Sequence, residues 1–89
     1  LYDLLLLMEK AAERNQREKV ISINSEFSRI YTEIMPDHYE KGDLADLYDF
    51  ARNKAINSVD ETISRTELTR IRELKEARRI IKKIPKPGR

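Results

Sequence analysis

Asp37, His38 and Glu40, which follow Pro36, are the side chains best suited to chemistry in this sequence. A carboxylate beside an imidazole can orient it as a general base, and the three side chains together could hold a metal ion loosely. No further ligands recur at the spacing of a known metal site. A solvent-exposed histidine in a polar turn is the commoner arrangement, and we expect it for His38.

Other patterns that mark enzymes are missing from the sequence. It has no glycine-rich phosphate loop, no nucleophile elbow and no paired carboxylates in an apolar setting. The chain contains no cysteine, so a disulfide framework and a thiolate metal site are excluded, and a reducing cytoplasm is the compartment that fits. We therefore expect a cytoplasmic, non-enzymatic protein with no cofactor and no metal site.

Composition indicates which elements position the side chains. Hydrophobic residues make up 39% and charged residues 38% of the 89 residues, with only two glycines and three prolines. This balance favours amphipathic helices and disfavours a β protein. The predicted fold is all-α, an antiparallel up-and-down bundle of three to four helices. It forms a single domain over residues 1–84, followed by a basic Pro/Gly tail at 85–89.

The first helix, predicted from residue 1 to about 14, is apolar on most of its circumference. One stripe with three- and four-residue spacing is predicted to face the core and holds Leu1, Leu4, Leu5, Met8, Ala11 and Ala12. Tyr2, Leu6 and Leu7 lie outside that stripe. The apolar run is too short to cross a bilayer, which needs about 20 residues. We therefore expect a buried helix with a second apolar face.

Two helices follow, each with its own apolar stripe. The second is predicted over residues 17–35 and ends at Pro36, which cannot continue it, so that residues 36–42 form a polar turn. Asp43 is predicted as the N-cap of the third helix, which ends near Asn57. The predicted core residues of these helices are Val20, Ile23, Phe27, Ile30, Tyr31, Ile34, Leu44, Leu47, Tyr48, Ala51 and Ala55.

The fourth helix has an uncertain start and a basic surface. Capping-box patterns at Ser58 and Ser64 place its first residue between 59 and 65, and it is predicted to end at about Ile84. Leu74, Ala77, Ile81 and Ile84 keep one stripe, whereas Leu68 and Ile71 are rotated away from it.

Charge is unevenly distributed along the chain. Residues 65–89 hold ten basic and three acidic groups, whereas residues 1–64 hold eight basic and thirteen acidic groups. An acidic partner could therefore dock on the last helix, and nucleic acid is one such partner. The candidate contacts are Arg70, Arg72, Lys75, Arg78, Arg79, Lys82 and Lys83. Glu67 is placed to pair with Arg70, and Glu76 with Arg79, which favours a solvated face over a nucleic-acid site.

The apolar residues outside the stripes suggest a binding surface. Ile21 and Ile56 are single surface residues of a kind that needs no explanation. Tyr2, Leu6 and Leu7 share one short segment and together would form an exposed patch. Such patches mark protein-binding grooves, so we expect a protein partner rather than a membrane.

The order of short motifs resembles the flagellar export chaperone FliS family. The motifs are Leu1-Tyr2-Asp3, Glu9-Lys10-Ala11-Ala12, Glu40-Lys41-Gly42-Asp43-Leu44-Ala45, Leu47-Tyr48-Asp49-Phe50 and a last helix with Leu68, Ile71, Leu74, Ala77 and Arg78. The family's N-terminal arm and first helix have no counterpart in this chain. The resemblance implies a cytoplasmic helical chaperone that binds the C-terminal segment of flagellin before export. It also implies that Tyr48 and Phe50 line the client groove, beside Tyr2, Leu6 and Leu7.

Three hypotheses follow from the sequence. The first is a protein-binding bundle of this FliS-like kind, with an affinity that salt hardly changes. The second is a nucleic-acid-binding bundle that uses the basic last helix, with an affinity that falls steeply with salt. The third is a self-associating module, a homo-oligomer in which a second copy covers the extra face of the first helix.

Overall fold

A computed structural model describes residues 1–38, 43–62 and 66–85, without the side chains of residues 34–38 and 43. Four α-helices make up most of this part of the chain: α1 (Tyr2–Glu13), α2 (Arg17–His38), α3 (Asp43–Val59) and α4 (Glu67–Lys83). The all-α prediction is confirmed, with the larger of the two predicted numbers of helices.

Contacts between the helices define an up-and-down antiparallel bundle. Each helix packs on the next along the chain, and α4 returns to α1. In the described residues α1 also touches α3 across the bundle, whereas α2 and α4 do not meet. Helices α1 and α3 therefore each contact the three other helices, as expected for α1, the most apolar element.

The core consists mostly of residues from the predicted stripes, together with Val59 and Ile80, which the stripes did not include. The side chain of Ile34, another predicted core residue, lies outside the described residues. The predicted stripe residues that are only partly buried are Leu1, Leu4, Ile23, Ile30, Tyr31, Leu44 and Leu47.

The fully enclosed side chains of the core include Leu5 and Met8 from α1, Phe27 from α2 and Tyr48 from α3. The predicted stripe of α4 is buried throughout, at Leu74, Ala77, Ile81 and Ile84. Leu68 and Ile71 are exposed, as their rotation away from that stripe predicted.

A tight turn joins α1 to α2. Asn15 adopts a left-handed conformation with φ 55°. Its N–H donates to the carbonyl of Ala12 at 2.9 Å, and the N–H of Gln16 donates to the carbonyl of Ala11 at 2.9 Å. This pair of bonds is a Schellman motif, which satisfies the last carbonyls of α1. The Gln16 carbonyl then accepts from Val20 and so opens α2. The short connection predicted here is confirmed.

Two helix boundaries around residues 36–43 differ from the predictions. The second helix continues past Pro36 and ends at His38, so the prediction that Pro36 stops it is wrong. Proline has a helical φ but no N–H to donate to the carbonyl four residues earlier, so the last turns of α2 have one backbone hydrogen bond fewer. Asp43 is the first helical residue of α3 rather than its N-cap. Residues 36–38 of the polar turn predicted at 36–42 are therefore helical, and residues 39–42 lie outside the described residues.

The start of α4 also differs. Ser58 does not cap it, because Ser58 is buried within α3 and its hydroxyl donates to the Ala55 carbonyl at 2.7 Å. Ser64 lies outside the described residues. The N-cap is Thr66, whose hydroxyl accepts from the N–H of Thr69 at 3.2 Å, so α4 begins at Glu67 rather than between 59 and 65. Glu61, the second residue of the capping-box pattern that begins at Ser58, lies in a turn. That pattern therefore has the residue types of a capping box without being one.

Arg52 fastens α2 to α3 through two aromatic rings. Its guanidinium carbon lies 5.5 Å from the ring centre of Phe27 and 5.6 Å from that of Tyr31. The same group donates to the Ser28 hydroxyl at 3.2 Å and pairs with Asp49. Burial raises the pKa of Tyr31, and the Asp49 carboxylate adds to the effect. This cluster stabilises the interface by cation–π contact as well as by hydrogen bonding.

Candidate protein-binding groove between α1 and α4

An apolar groove lies between α1 and α4, which run antiparallel. It encloses about 330 Å³. Its lining side chains are Tyr2, Leu6, Glu9, Arg78, Ile81, Lys82 and Ile84. The beginning of α1 thus lies beside the end of α4.

Helical spacing explains why the walls are apolar. Tyr2 and Leu6 are four residues apart on α1, and Ile81 and Ile84 are three apart across the end of α4, so each pair points to one side. Ile81 and Ile84 belong to the core, and Tyr2 and Leu6 are partly buried against it. The floor of the groove is therefore continuous with the hydrophobic core, and its outer wall is the second apolar face of α1.

An ion-pair cluster closes one end of the groove. The Arg78 guanidinium donates to the carboxylate of Glu9, which is itself buried, and approaches Glu13 at 3.0 Å. Its hydrogen bond to Glu9 raises the pKa of Arg78, and the charges of both carboxylates act in the same direction. The cation and the buried carboxylate thereby neutralise each other. Lys82 supplies a further positive charge at the edge of the groove.

The predicted partner-binding residues separate into three environments. Tyr2 and Leu6 lie together in the groove. Leu7 and Phe50 are exposed, at 51% and 54%, but neither lines it. Tyr48 is only 2% exposed and packs against Phe27 in the core, so its prediction as a partner-binding residue is wrong. The apolar stripe of α3 thus predicted the environment of Tyr48 correctly, whereas the motif that suggested a groove did not.

The groove has residues that the sequence did not assign to binding. Ile81 and Ile84 were predicted only as core, yet they form one wall. Glu9 and Arg78 set its polar end. Their pairing depends on how α1 and α4 align, and no local pattern in the sequence contains that information.

Two of the candidate nucleic-acid contacts are turned inward. Arg70 donates to the Ala12 carbonyl at the end of α1, at 3.1 Å, and also pairs with Glu67. Arg78 is held by the carboxylates of α1. Both arginines have a structural role. Arg70 places a cation at the C-terminus of α1, and Arg78 forms an ion pair between two helices, and both contacts stabilise the fold. Both cations are therefore engaged within the fold, and their assignment as nucleic-acid contacts stays a prediction.

The remaining basic candidates stay on the surface. Arg79 pairs with Glu76, as predicted, and this pair is exposed. Arg72, Lys75, Lys82 and Lys83 form no ion pair with any of the residues the structure describes. The predicted pair of Glu67 with Arg70 is also present.

A smaller cavity lies between α2 and α3, at the end where α2 begins. It encloses about 200 Å³ and is lined by Arg17, Val20, Ile21, Ile56, Val59 and Asp60. Ile21 and Ile56, predicted as unrelated surface residues, therefore share one depression. The sequence could not predict that the two side chains are neighbours, because they belong to different helices.

The chemistry considered for the turn cannot be located in the described structure. The Asp37 and His38 side chains and all of Glu40 lie outside the described residues. Among the residues that are described, no three His, Cys, Asp or Glu side chains come together as a metal site. Nor does any helix there have the length and apolar content needed to cross a bilayer.

Comparison with models of protein families, with curated proteins and with solved structures finds no match for this chain.

Proposed function

We propose that this chain is a non-enzymatic, protein-binding helical bundle whose groove between α1 and α4 takes an apolar helical segment of a partner. The observation that supports this most is the groove itself, an apolar depression joined to the core with charged side chains at its edge. Amphipathic helices commonly bind by placing an apolar face in such a groove. The more specific form of the proposal is a cytoplasmic FliS-like export chaperone whose client is a flagellin-type C-terminal segment.

Burial of apolar surface would supply most of the binding free energy. Tyr2 and Leu6 remain partly exposed in the free protein, so a partner helix can remove further apolar area from water at both side chains. The paired charges of Glu9 and Arg78 offer little net attraction to a distant partner. We therefore expect an affinity that changes little between low and high salt.

The test is a calorimetric titration of a flagellin-type C-terminal peptide into the protein at low and high salt. Leu6→Asn is expected to weaken binding about tenfold or more, since a leucine side chain contributes about 1.5–3 kcal/mol on burial. Leu7→Asn is the matched control, because Leu7 is the next residue of the same helix and does not line the groove. It is expected to leave the affinity within about twofold.

Helical content and unfolding midpoints of both variants would show that each is folded. Equal losses in the two variants would contradict the groove as the binding site. Failure of the flagellin-type peptide alone, with another apolar helical peptide still bound in a Leu6-dependent manner, would contradict only the export-chaperone form.

The two other hypotheses are tested by separate measurements. A nucleic-acid-binding bundle would bind a short duplex with an affinity that falls steeply with salt. Among the described residues, the basic candidates without an ion pair are Arg72, Lys75, Lys82 and Lys83. A self-associating module would show a mass in solution that rises with protein concentration. Loss of that rise in Leu7→Asn would place the contact on the second face of α1.

A further inference from the structure

The outer face of α4 combines exposed aliphatic and basic side chains. We define it by Leu68, Ile71, Arg72, Lys75, Arg79 and Lys82, whose three- and four-residue spacing puts them on one side of the helix. Helix α4 packs on α3 and α1 and does not touch α2 in the described residues. This face is therefore directed away from the bundle.

Its charge is of one sign. No acidic residue occurs among the six, and Arg72, Lys75 and Lys82 form no ion pair with the described residues. Only Arg79 is paired, with Glu76 beside the face. By contrast Arg70 and Arg78 are turned toward α1. The helix thus uses its inward arginines for structure and leaves a concentrated positive charge outside.

The apolar residues at the start of this face distinguish between possible anionic partners. Leu68 is 75% exposed, the largest exposed fraction among the large hydrophobic residues described, and Ile71 one turn later is 38% exposed. Phosphates of a duplex would use the cations but would give these aliphatic side chains nothing to bury in. A lipid surface satisfies both, because leucine and isoleucine enter the boundary with the acyl chains while lysine and arginine meet the headgroups.

We propose that the outer face of α4 binds peripherally to an anionic lipid surface, with Leu68 and Ile71 inserted at the interface and Arg72 and Lys75 on acidic headgroups. This binding is separate from the groove between α1 and α4. Of the face residues, Lys82 alone also lines that groove and is left unchanged in the test.

The experiment is co-sedimentation of the whole chain with vesicles of phosphatidylcholine, with and without about one third phosphatidylserine. Binding is expected only with phosphatidylserine and should weaken as salt rises. Lys75→Gln is expected to weaken it about fivefold, the effect of one cation near such a surface. The matched control is Lys19→Gln, an exposed lysine on α2, which should change binding less than twofold.

The aliphatic contribution has its own pair of variants. Leu68→Asn is expected to reduce vesicle binding about tenfold, whereas Leu7→Asn, the other well-exposed leucine, should have little effect. Both side chains are exposed, so neither change removes core packing, and circular dichroism would verify the helical content.

Three outcomes would overturn the proposal. They are no binding to vesicles that contain phosphatidylserine, equal losses in Lys75→Gln and Lys19→Gln, or no effect of Leu68→Asn. Binding of a DNA duplex without vesicle binding would also overturn it and would assign the face to nucleic acid. None of these outcomes bears on the groove, because the peptide titration depends on Leu6.

Discussion

At the scale of single residues, Asn15 shows how one backbone conformation orients two helices. Its φ of 55° is in the left-handed region, where most residues with a Cβ are strained by about 1 kcal/mol or more and asparagine and glycine are tolerated. We therefore expect Asn15→Ala to lower the free energy of unfolding by about 1 kcal/mol. Asn15→Gly should preserve it, because glycine adopts this conformation without a steric penalty. Urea unfolding would measure both changes.

Arg14→Ala is the control for that substitution. Arg14 is exposed and has φ −87°, so its replacement should change the unfolding free energy by less than about 0.5 kcal/mol. An Asn15→Ala variant as stable as Arg14→Ala would mean that the turn does not constrain the approach of α2 to α1.

Neighbouring residues of α3 show how far residue-level prediction reaches. Tyr48 and Phe50 share one motif, and the resemblance assigned both to a groove. Side chains two positions apart in a helix point in directions that differ by about 200° around its axis. The same motif therefore buries Tyr48 and exposes Phe50. Helical spacing had placed Tyr48 on the core stripe, and that prediction is confirmed. The motif could not predict the environment of either residue without the orientation of α3.

At the scale of elements, the ion pair between Arg78 and Glu9 aligns α4 with α1. Removing the cation leaves a buried carboxylate without its partner, which costs more than the net value of the pair. We expect Arg78→Met to destabilise the protein by about 1–3 kcal/mol in thermal or urea unfolding. Combining it with Glu9→Gln should recover part of the loss, because the uncompensated charge is then absent.

Arg79→Met is the matched control on the same helix. Among the described residues Arg79 forms an ion pair only with Glu76, in an exposed position, and such surface pairs contribute little to stability. If Arg78→Met and Arg79→Met lowered the free energy of unfolding equally, the contact between α1 and α4 would not depend on the pair of Arg78 with the buried Glu9.

The number of helices and their buried faces could be predicted, but several boundaries could not. Apolar spacing of three and four residues is a strong signal over many turns, whereas a boundary depends on one or two residues. Pro36 is a helix breaker by type, yet α2 includes it. Two hydroxyl residues matched a capping pattern, whereas Thr66 makes the hydrogen bond that caps α4. Composition alone does not distinguish a cap from a buried hydroxyl such as Ser58.

At the scale of the whole molecule, packing around the most apolar helix creates the features that spacing alone did not predict. Leu6 and Ile81 are far apart in the sequence and become neighbours only when α4 returns to α1. The apolar surplus of α1 predicted a binding surface, and the structure locates Tyr2 and Leu6 in a groove. The sequence of α1 could not predict that Ile81 and Ile84 would form the other wall, because that wall depends on the antiparallel alignment of α4 with α1.

Helix α4 contributes to two surfaces with different physical character. Its inner side supplies the groove, where we expect burial of apolar side chains to decide affinity. Its outer face supplies the exposed cations, where affinity should depend on salt. A partner protein in the groove and an anionic surface on the outer face could therefore be distinguished by salt alone.

The most direct test of the binding groove is a methyl-resolved NMR titration with an apolar helical peptide. We expect the largest shift changes at Leu6, Ile81 and Ile84, little change at Leu7 and Leu68, and the same pattern at high salt. Shift changes concentrated at Leu68 and Ile71, or distributed evenly over Leu7 and Ile21, would contradict the assignment of the groove between α1 and α4 as the site where this bundle binds a partner.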